Sequence, residues 1–236
     1  MSPNGLPSQK ILEGHTAAIT VVGFSADGKF LASAANNGVV LVFSTSSWTP
    51  ICQFLDVSPV SVLVWHQKRR YLLFCGHQSG DLHVLTMSKS MVCLSPCVLK
   101  GLLTMGKQKC TTVKTSTFAG CIHSISLSPT LSRIAIAYGN EIVLTDIIPG
   151  PYRLEDNKKL LPKPPASPHS TGKSGGPIAK SLQFTRKNRL VATYTAHGIV
   201  YVHVTYHWVT LKGNTSVWDT DALTISGEII PRTFPM

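Results

Sequence analysis

The chain has few acidic residues, few charged residues overall and no long apolar run. Its 236 residues include 11 Asp and Glu against 22 Lys and Arg, and the charged fraction of 14% is below the ~25% usual for globular domains. No paired carboxylates or Ser, His and acid arrangement stand out, so the sequence predicts no enzyme. No run of about 18 apolar residues occurs, and the polar amino terminus contains Pro3 and Pro7. We therefore expect neither a membrane span nor a signal peptide, and a cytoplasmic or nuclear location.

The sequence also lacks a dense cluster of cysteines. The six cysteines are spread over segments of different character rather than forming a dense framework, which favours reduced thiols. Cys93 and Cys97 have the spacing of half a zinc site, but no matching second pair of ligands accompanies them. The sequence therefore predicts no metal site and no cofactor.

Short apolar stretches separated by turn signals fill much of the chain. Residues 14 to 43 hold three such stretches, and the turns between them contain Asp27-Gly28 and Asn36-Asn37-Gly38. Pairs of this kind suit tight hairpins between short strands. The segment is therefore predicted to be an antiparallel meander.

The same order of stretches and turns returns at 60 to 85, at 121 to 146 and from residue 179 onward. Equivalent positions are separated by 41, 62 and 57 residues, and they are Phe24, Trp65, Leu127 and Phe184. A spacing of about 40 to 45 residues is typical of one propeller blade, and the longer spacings fit a blade with an insert.

These residues resemble the WD-repeat β-propeller family. The first unit follows the family pattern in order: Gly14-His15, Phe24-Ser25, Asp27-Gly28-Lys29, Leu31-Ala32-Ser33, Asn37-Gly38 and Val40-Leu41-Val42-Phe43-Ser44. The family's closing Trp-Asp pair is intact only at Trp218-Asp219. The resemblance covers about 150 of the 236 residues. It implies an all-β, WD-repeat-like β-propeller with about four recognisable blades, fewer than the usual seven, and therefore a partial, open propeller.

The predicted organisation is one domain over 1–236. Its blades are expected at about 11–55, 56–100, 117–148 and 178–230, with a flexible loop at about 149–177. The fourth strand of the second blade is predicted around Met91 to Val98. Residues Tyr201 to Ser216 have no counterpart in the other units, and we interpret them as an insertion inside a third strand.

The resemblance implies a non-enzymatic scaffold that binds protein partners, with contacts in the turns between second and third strands. Carried onto this sequence, those turns point to seven residues: Asn36, Asn37, His77, Gln78, Ser79, Asn140 and His197. The net charge of +11 leaves an alternative, in which Lys-rich loops at 88–118 and 149–177 bind nucleic acid or an anionic membrane surface. Steep loss of binding with added salt would distinguish this alternative from a scaffold.

Overall fold

The computed structural model describes residues 10–87, 110–150, 152–161, 178–186, 189–194, 198–202, 204–211 and 215–219. Within these residues the chain forms antiparallel strands and turns, without a helix. The strands assemble into four separate sheets, each built from a consecutive part of the chain. The four predicted blades are therefore confirmed.

The first blade has the meander order that the sequence predicts. Its strands are β1 (Ile19–Phe24), β2 (Phe30–Ala35), β3 (Val39–Ser44) and β4 (Pro50–Leu55). The turn between β2 and β3 needs glycine, because Gly38 has a φ of +80° and a Cβ there would collide with the Asp56 carbonyl. The close contact fixes this turn against the linker that leads to the second blade.

The second blade corrects one prediction. Its strands are β5 (Val60–Trp65), β6 (Leu72–His77), β7 (Asp81–Met87) and β8 (Cys110–Thr117). The described strand that pairs with β7 is β8, so the blade extends past residue 100, whereas the strand predicted around Met91 to Val98 lies outside the described residues. The β8 sequence is mostly Thr, Ser and Lys, and residues 111–114 are exposed. An outer strand needs little apolar surface, so its sequence carries a weak signal.

The third blade also extends further than predicted. It contains β9 (Ile122–Leu127), β10 (Arg133–Tyr138), β11 (Glu141–Ile148), β12 (Arg153–Leu154) and β13 (Lys159–Leu161). Both short strands pair with β11, and Leu154 and Leu161 are buried. The expected flexible loop over 149–177 is therefore wrong for its first part. Prolines and lysines suggested an unpacked segment, but two leucines and the outer edge of β11 suffice to hold it.

The fourth blade contains a strand that is divided in two. Its elements are β14 (Ala179–Phe184), β15 (Leu190–Tyr194), β16 (Gly198–Val202), β17 (Val204–Leu211) and β18 (Thr215–Asp219). Val191 of β15 pairs with Tyr201 of β16, and the preceding residue, Leu190, pairs with Trp218 of β18. The pairing with β15 thus continues from Tyr201 directly to Trp218, and the residues between these two interrupt the third strand. This agrees with the insertion predicted at Tyr201 to Ser216.

The blades pack through their first strands, which lie side by side in the order β1, β5, β9 and β14. Polar side chains link neighbouring blades at this inner edge. The Thr20 hydroxyl donates to the Val60 carbonyl over 2.8 Å, and the Ser61 hydroxyl donates to the Ile122 carbonyl. Both donors lie at bulges in a first strand, which turn the side chain toward the next blade.

Three apolar clusters fill the spaces between successive blades. One lies between the first and second blades, one between the second and third, and one between the third and fourth. Among the described residues, no comparable packing joins β14 back to β1, so the arc of blades is not closed.

Candidate functional site

The turns between second and third strands lie at one end of the arc, because the first strands run side by side and each blade repeats the same meander. In the first two blades, the predicted contact residues Asn36, Asn37, Gln78 and Ser79 are exposed. Asn140 is half-buried in the third blade. His197 lies outside the described residues. Five of the seven predicted residues are therefore at least partly accessible at the same end.

Two of these residues already have a local structural role. The Asn37 side-chain oxygen accepts a hydrogen bond from the Val39 amide over 3.3 Å. The Ser79 amide donates to the Ser58 hydroxyl over 3.0 Å, which ties the turn of the second blade to the linker before it. Such bonds hold the turn conformation and present Asn36 and Gln78 to solvent.

His77 differs from the other predicted contact residues. Its side chain is fully buried, and its ring lies between the Ser58 carbonyl and the side chains of Asp56 and His83. A surface partner cannot reach this ring without moving the turn. His77 is therefore unsuitable as a contact residue on the turn surface.

An exposed apolar face lies on β1, at the free end of the arc. Ile19, Val22 and Phe24 are 53%, 60% and 59% exposed. These three residues pair with alternate residues of β2, so their side chains share one face. Val21, on the opposite face, packs into the cluster between the first and second blades, so the shared face points away from the second blade. A monomeric protein seldom leaves neighbouring large apolar side chains this open to water. We refer to Ile19, Val22 and Phe24 as the β1 face.

The β1 face was not predicted from the sequence. The alternating stretch predicted a strand, but it did not indicate which blade would lie against each side. The only signal was that apolar residues occupy both faces of the strand, which is unusual for a strand with one solvated side. A strand with this pattern is expected to have other parts of a protein packed against both of its faces.

A basic groove of about 700 Å³ lies near the turn between β5 and β6. Its charged residues already contact neighbours. Arg70 forms an ion pair with Asp27 of the first blade at 3.5 Å, and Arg69 contacts the Tyr152 hydroxyl and ring. The ion pair offsets the charge of Arg70, whereas Arg69 contacts a neutral side chain and keeps its charge. Both contacts connect the second blade to a neighbouring blade, so these two arginines have a structural role beside the groove.

Among the residues that the structure describes, Asp56, His77 and His83 are the one group whose side chains could hold a metal ion. Their location is apolar on one side, where the Phe54 ring packs against both imidazoles. Burial, followed by the nearby His77 ring, lowers the pKa of His83.

In the described part of the chain, no helix is long and apolar enough to cross a membrane.

Comparison with known proteins supports the repeat. Residues 6–44 match the sequence model of the WD40 family, described as WD domain, G-beta repeat. The Target of rapamycin complex subunit wat1 of Schizosaccharomyces pombe is 32% identical over 78 residues, which are 33% of this chain and 24% of that protein. The matched segment thus spans about a quarter of the relative's length.

Solved structures show the same architecture. The β-propeller domain of Myceliophteria thermophila Cps50 (Swd1) has a TM-score of 0.52 at 11% identity, covering 75% of this chain and 50% of that one. The computationally designed Ika4 protein has a TM-score of 0.53 at 19% identity, covering 82% of this chain and 96% of that one. At these identities the likeness concerns the fold alone.

Proposed function

This chain is a WD-repeat protein with β-propeller blades, and from that premise we propose that it is a non-enzymatic subunit of a multiprotein assembly. The WD repeat and the complex-subunit relative support a protein-interaction scaffold as the coarse function. Rigid blades that present several turns at one end suit such a role, because they hold contact residues in fixed positions. The comparisons give no support to binding of nucleic acid.

The observation that carries the proposal is the β1 face at the free end of the arc. Its three apolar side chains are each more than half exposed. In the other described blades, the equivalent side of the first strand packs against the preceding blade. A partner polypeptide that covers the β1 face would remove this apolar surface from water and complete the pattern of packing.

The net charge indicates the chemistry of the partner. The chain carries 22 basic and 11 acidic residues, for a net charge of +11. We propose a partner that offers an apolar patch bordered by acidic side chains, since complementary charge speeds association and selects among partners. We propose the exposed turn residues as a second contact with the partner, and these are Asn36, Asn37, Gln78 and Ser79. The proposed location of the protein is cytoplasmic or nuclear.

A site-specific crosslinking experiment tests this proposal. A photoreactive phenylalanine derivative placed at Phe24 in the expressed full chain should crosslink to one reproducible partner polypeptide. The same group at Val113, an exposed position on the outer strand β8, serves as the matched control and should not. The identified partner is then purified and titrated against the wild-type chain and Phe24→Asp.

We expect Phe24→Asp to weaken binding of the purified partner by a factor of about 10 or more, because a charge replaces a buried aromatic contact. Val113→Asp should bind like the wild type. A chain that crosslinks only to its own copies, or that light scattering shows to be a stable monomer without crosslinks at Phe24, would contradict the proposal. Equal binding by Phe24→Asp and wild type would also contradict it.

A further inference from the structure

We propose that Asp56, His77 and His83 bind a divalent transition-metal ion of the zinc class. Asp56 lies in the linker between the first two blades, His77 ends β6, and His83 is the third residue of β7. The ion would tie this linker to two strands of the second blade. The proposal is independent of the protein-binding role, since the site lies inside the interface between blades and apart from the β1 face.

The distances between the three donor atoms fit one small ion. His83 Nδ1 lies 3.0 Å from His77 Nε2 and 3.1 Å from Asp56 Oδ2, and the last two atoms are 3.6 Å apart. Ligands about 2.0–2.1 Å from a tetrahedral zinc ion are roughly 3.3–3.4 Å from one another. The observed triangle therefore needs only small side-chain movements to accept the ion.

Hydrogen bonding around the cluster leaves donor electron pairs pointing inward. His77 Nδ1 lies 3.0 Å from the Ser58 carbonyl, which accepts only, so this nitrogen carries the hydrogen and Nε2 carries a lone pair. Asp56 Oδ1 accepts from the Val57 amide over 2.6 Å, which leaves Oδ2 directed at the imidazoles. A carbonyl that orients a ligating imidazole in this way is a common feature of zinc sites.

One hydrogen atom cannot satisfy the three donor atoms of the cluster as well as a divalent metal ion can. If His83 Nδ1 carries a hydrogen, it must divide that hydrogen between His77 Nε2 and Asp56 Oδ2, which then face each other as two acceptors. A divalent ion interacts with all three atoms at once. Two imidazoles and one carboxylate favour zinc and neighbouring transition metals over magnesium or calcium, which prefer oxygen ligands.

The surroundings suit a structural ion. His77 is fully buried, whereas the side chains of Asp56 and His83 are each 13% exposed, so solvent contacts the cluster only at these two side chains. Phe54 covers another side, with its ring centroid 5.6 Å from that of His83. The exposed parts of Asp56 and His83 provide an entry path for the ion, and a water molecule would be the fourth ligand.

Zinc titration of the purified full chain, by competition with a chromophoric chelator, tests the proposal. We expect one zinc ion per chain, a higher melting temperature with zinc than with chelator, and no comparable effect of magnesium. Asp56→Asn and His83→Gln should each weaken zinc binding roughly 100-fold while melting near the wild type in chelator. His123→Gln is the matched control, because His123 is a half-buried first-strand histidine outside the cluster.

Cobalt substitution identifies the ligands directly. The expected visible spectrum is that of a four- or five-coordinate cobalt ion with nitrogen and oxygen ligands, lost in His83→Gln. An intense near-ultraviolet band from cobalt bonded to thiolate would place the metal on cysteines and overturn the proposal. So would the absence of stoichiometric zinc in the wild type, or equal loss of zinc binding in His123→Gln and His83→Gln.

Discussion

The interfaces on the two sides of the second blade differ at equivalent positions. Asp56 and Phe118 each lie four residues before a first strand, and their amides donate to the carbonyls of Gly38 and Gly80 over 3.1 and 2.8 Å. At the first interface Asp56 faces two histidines, whereas at the second Phe118 packs against Tyr138 with ring centroids 4.8 Å apart. The same backbone position thus carries a polar cluster in one place and an aromatic pair in the other.

The difference shows that the repeat determines where a side chain lies, while the residue type determines what it does there. An aromatic pair stabilises the interface by itself, through burial and ring contact. A buried group of one carboxylate and two imidazoles stabilises it only when the desolvated polar atoms are satisfied. We therefore expect the second interface to be independent of metal and the first to depend on it.

Removal of the aromatic pair should have the largest effect. Phe118 is 7% exposed, and Phe118→Ala deletes a buried ring, so we expect a loss of about 3–5 kcal/mol in the free energy of unfolding. Denaturant unfolding measures this loss, which should be the same with zinc and with chelator. Val113→Ala, at a 41% exposed position, is the control and should change stability by about 0.5 kcal/mol or less. A loss below about 1 kcal/mol for Phe118→Ala would show that the aromatic pair does not stabilise the second interface.

The turn that supports the polar cluster provides a second, smaller test. Gly38→Ala requires an unfavourable positive φ and also brings a Cβ into the Asp56 carbonyl, so we expect a loss of about 2–3 kcal/mol. Gly28→Ala is the control, because Gly28 has a φ of +68° and open space around it, and it should lose about 1 kcal/mol. Thermal unfolding of both variants measures the difference. Equal losses would mean that the contact with Asp56 contributes nothing.

The ion pair between Asp27 and Arg70 lies at the opposite end of the first interface. Its removal should have the smallest effect on stability, and this effect should depend on pH. Partial burial raises the pKa of Asp27, but hydrogen bonds from Ser25, the Lys29 amide and Arg70 outweigh it, so the pKa lies below its ordinary value. A carboxyl group with a lowered folded-state pKa stabilises the fold above its unfolded pKa of about 4, and this stabilisation is lost as the pH falls through the folded value.

Asp27→Asn should therefore be slightly less stable than the wild type at pH 7, and the two chains should converge as the pH falls toward 3. Parallel denaturant titrations across this range measure the difference. A gap that stays constant or widens on acidification would show that the Asp27 charge does not act across the interface. Arg70→Gln should behave in the same way, since Arg70 is the partner of Asp27.

Sequence patterns predicted the inner parts of the blades better than the outer parts. Strands β2, β6 and β10 are mostly buried, so their sequences must be largely apolar and are easily recognised. The outer strand β8 was not predicted at 110–117, and the residues of β12 and β13 were predicted to be a loop, because backbone pairing to a neighbour holds these strands and demands little of their side chains. Four of the predicted turn residues are exposed, but His77, which was grouped with them, is buried.

By itself, the sequence determined the strand segments, the glycine turns and their repetition, because period-two alternation and positive φ angles are local requirements. Only the tertiary structure decided which faces meet. Asp56, His77 and His83 are separated by up to 27 positions, and they come together through the register of β6 with β7 and the return of the linker. The exposure of Phe24 is likewise not a local property, since it depends on whether another blade lies against β1. Both candidate sites therefore depend on whether a neighbouring blade lies beside a strand, which the sequence of the strand itself does not determine.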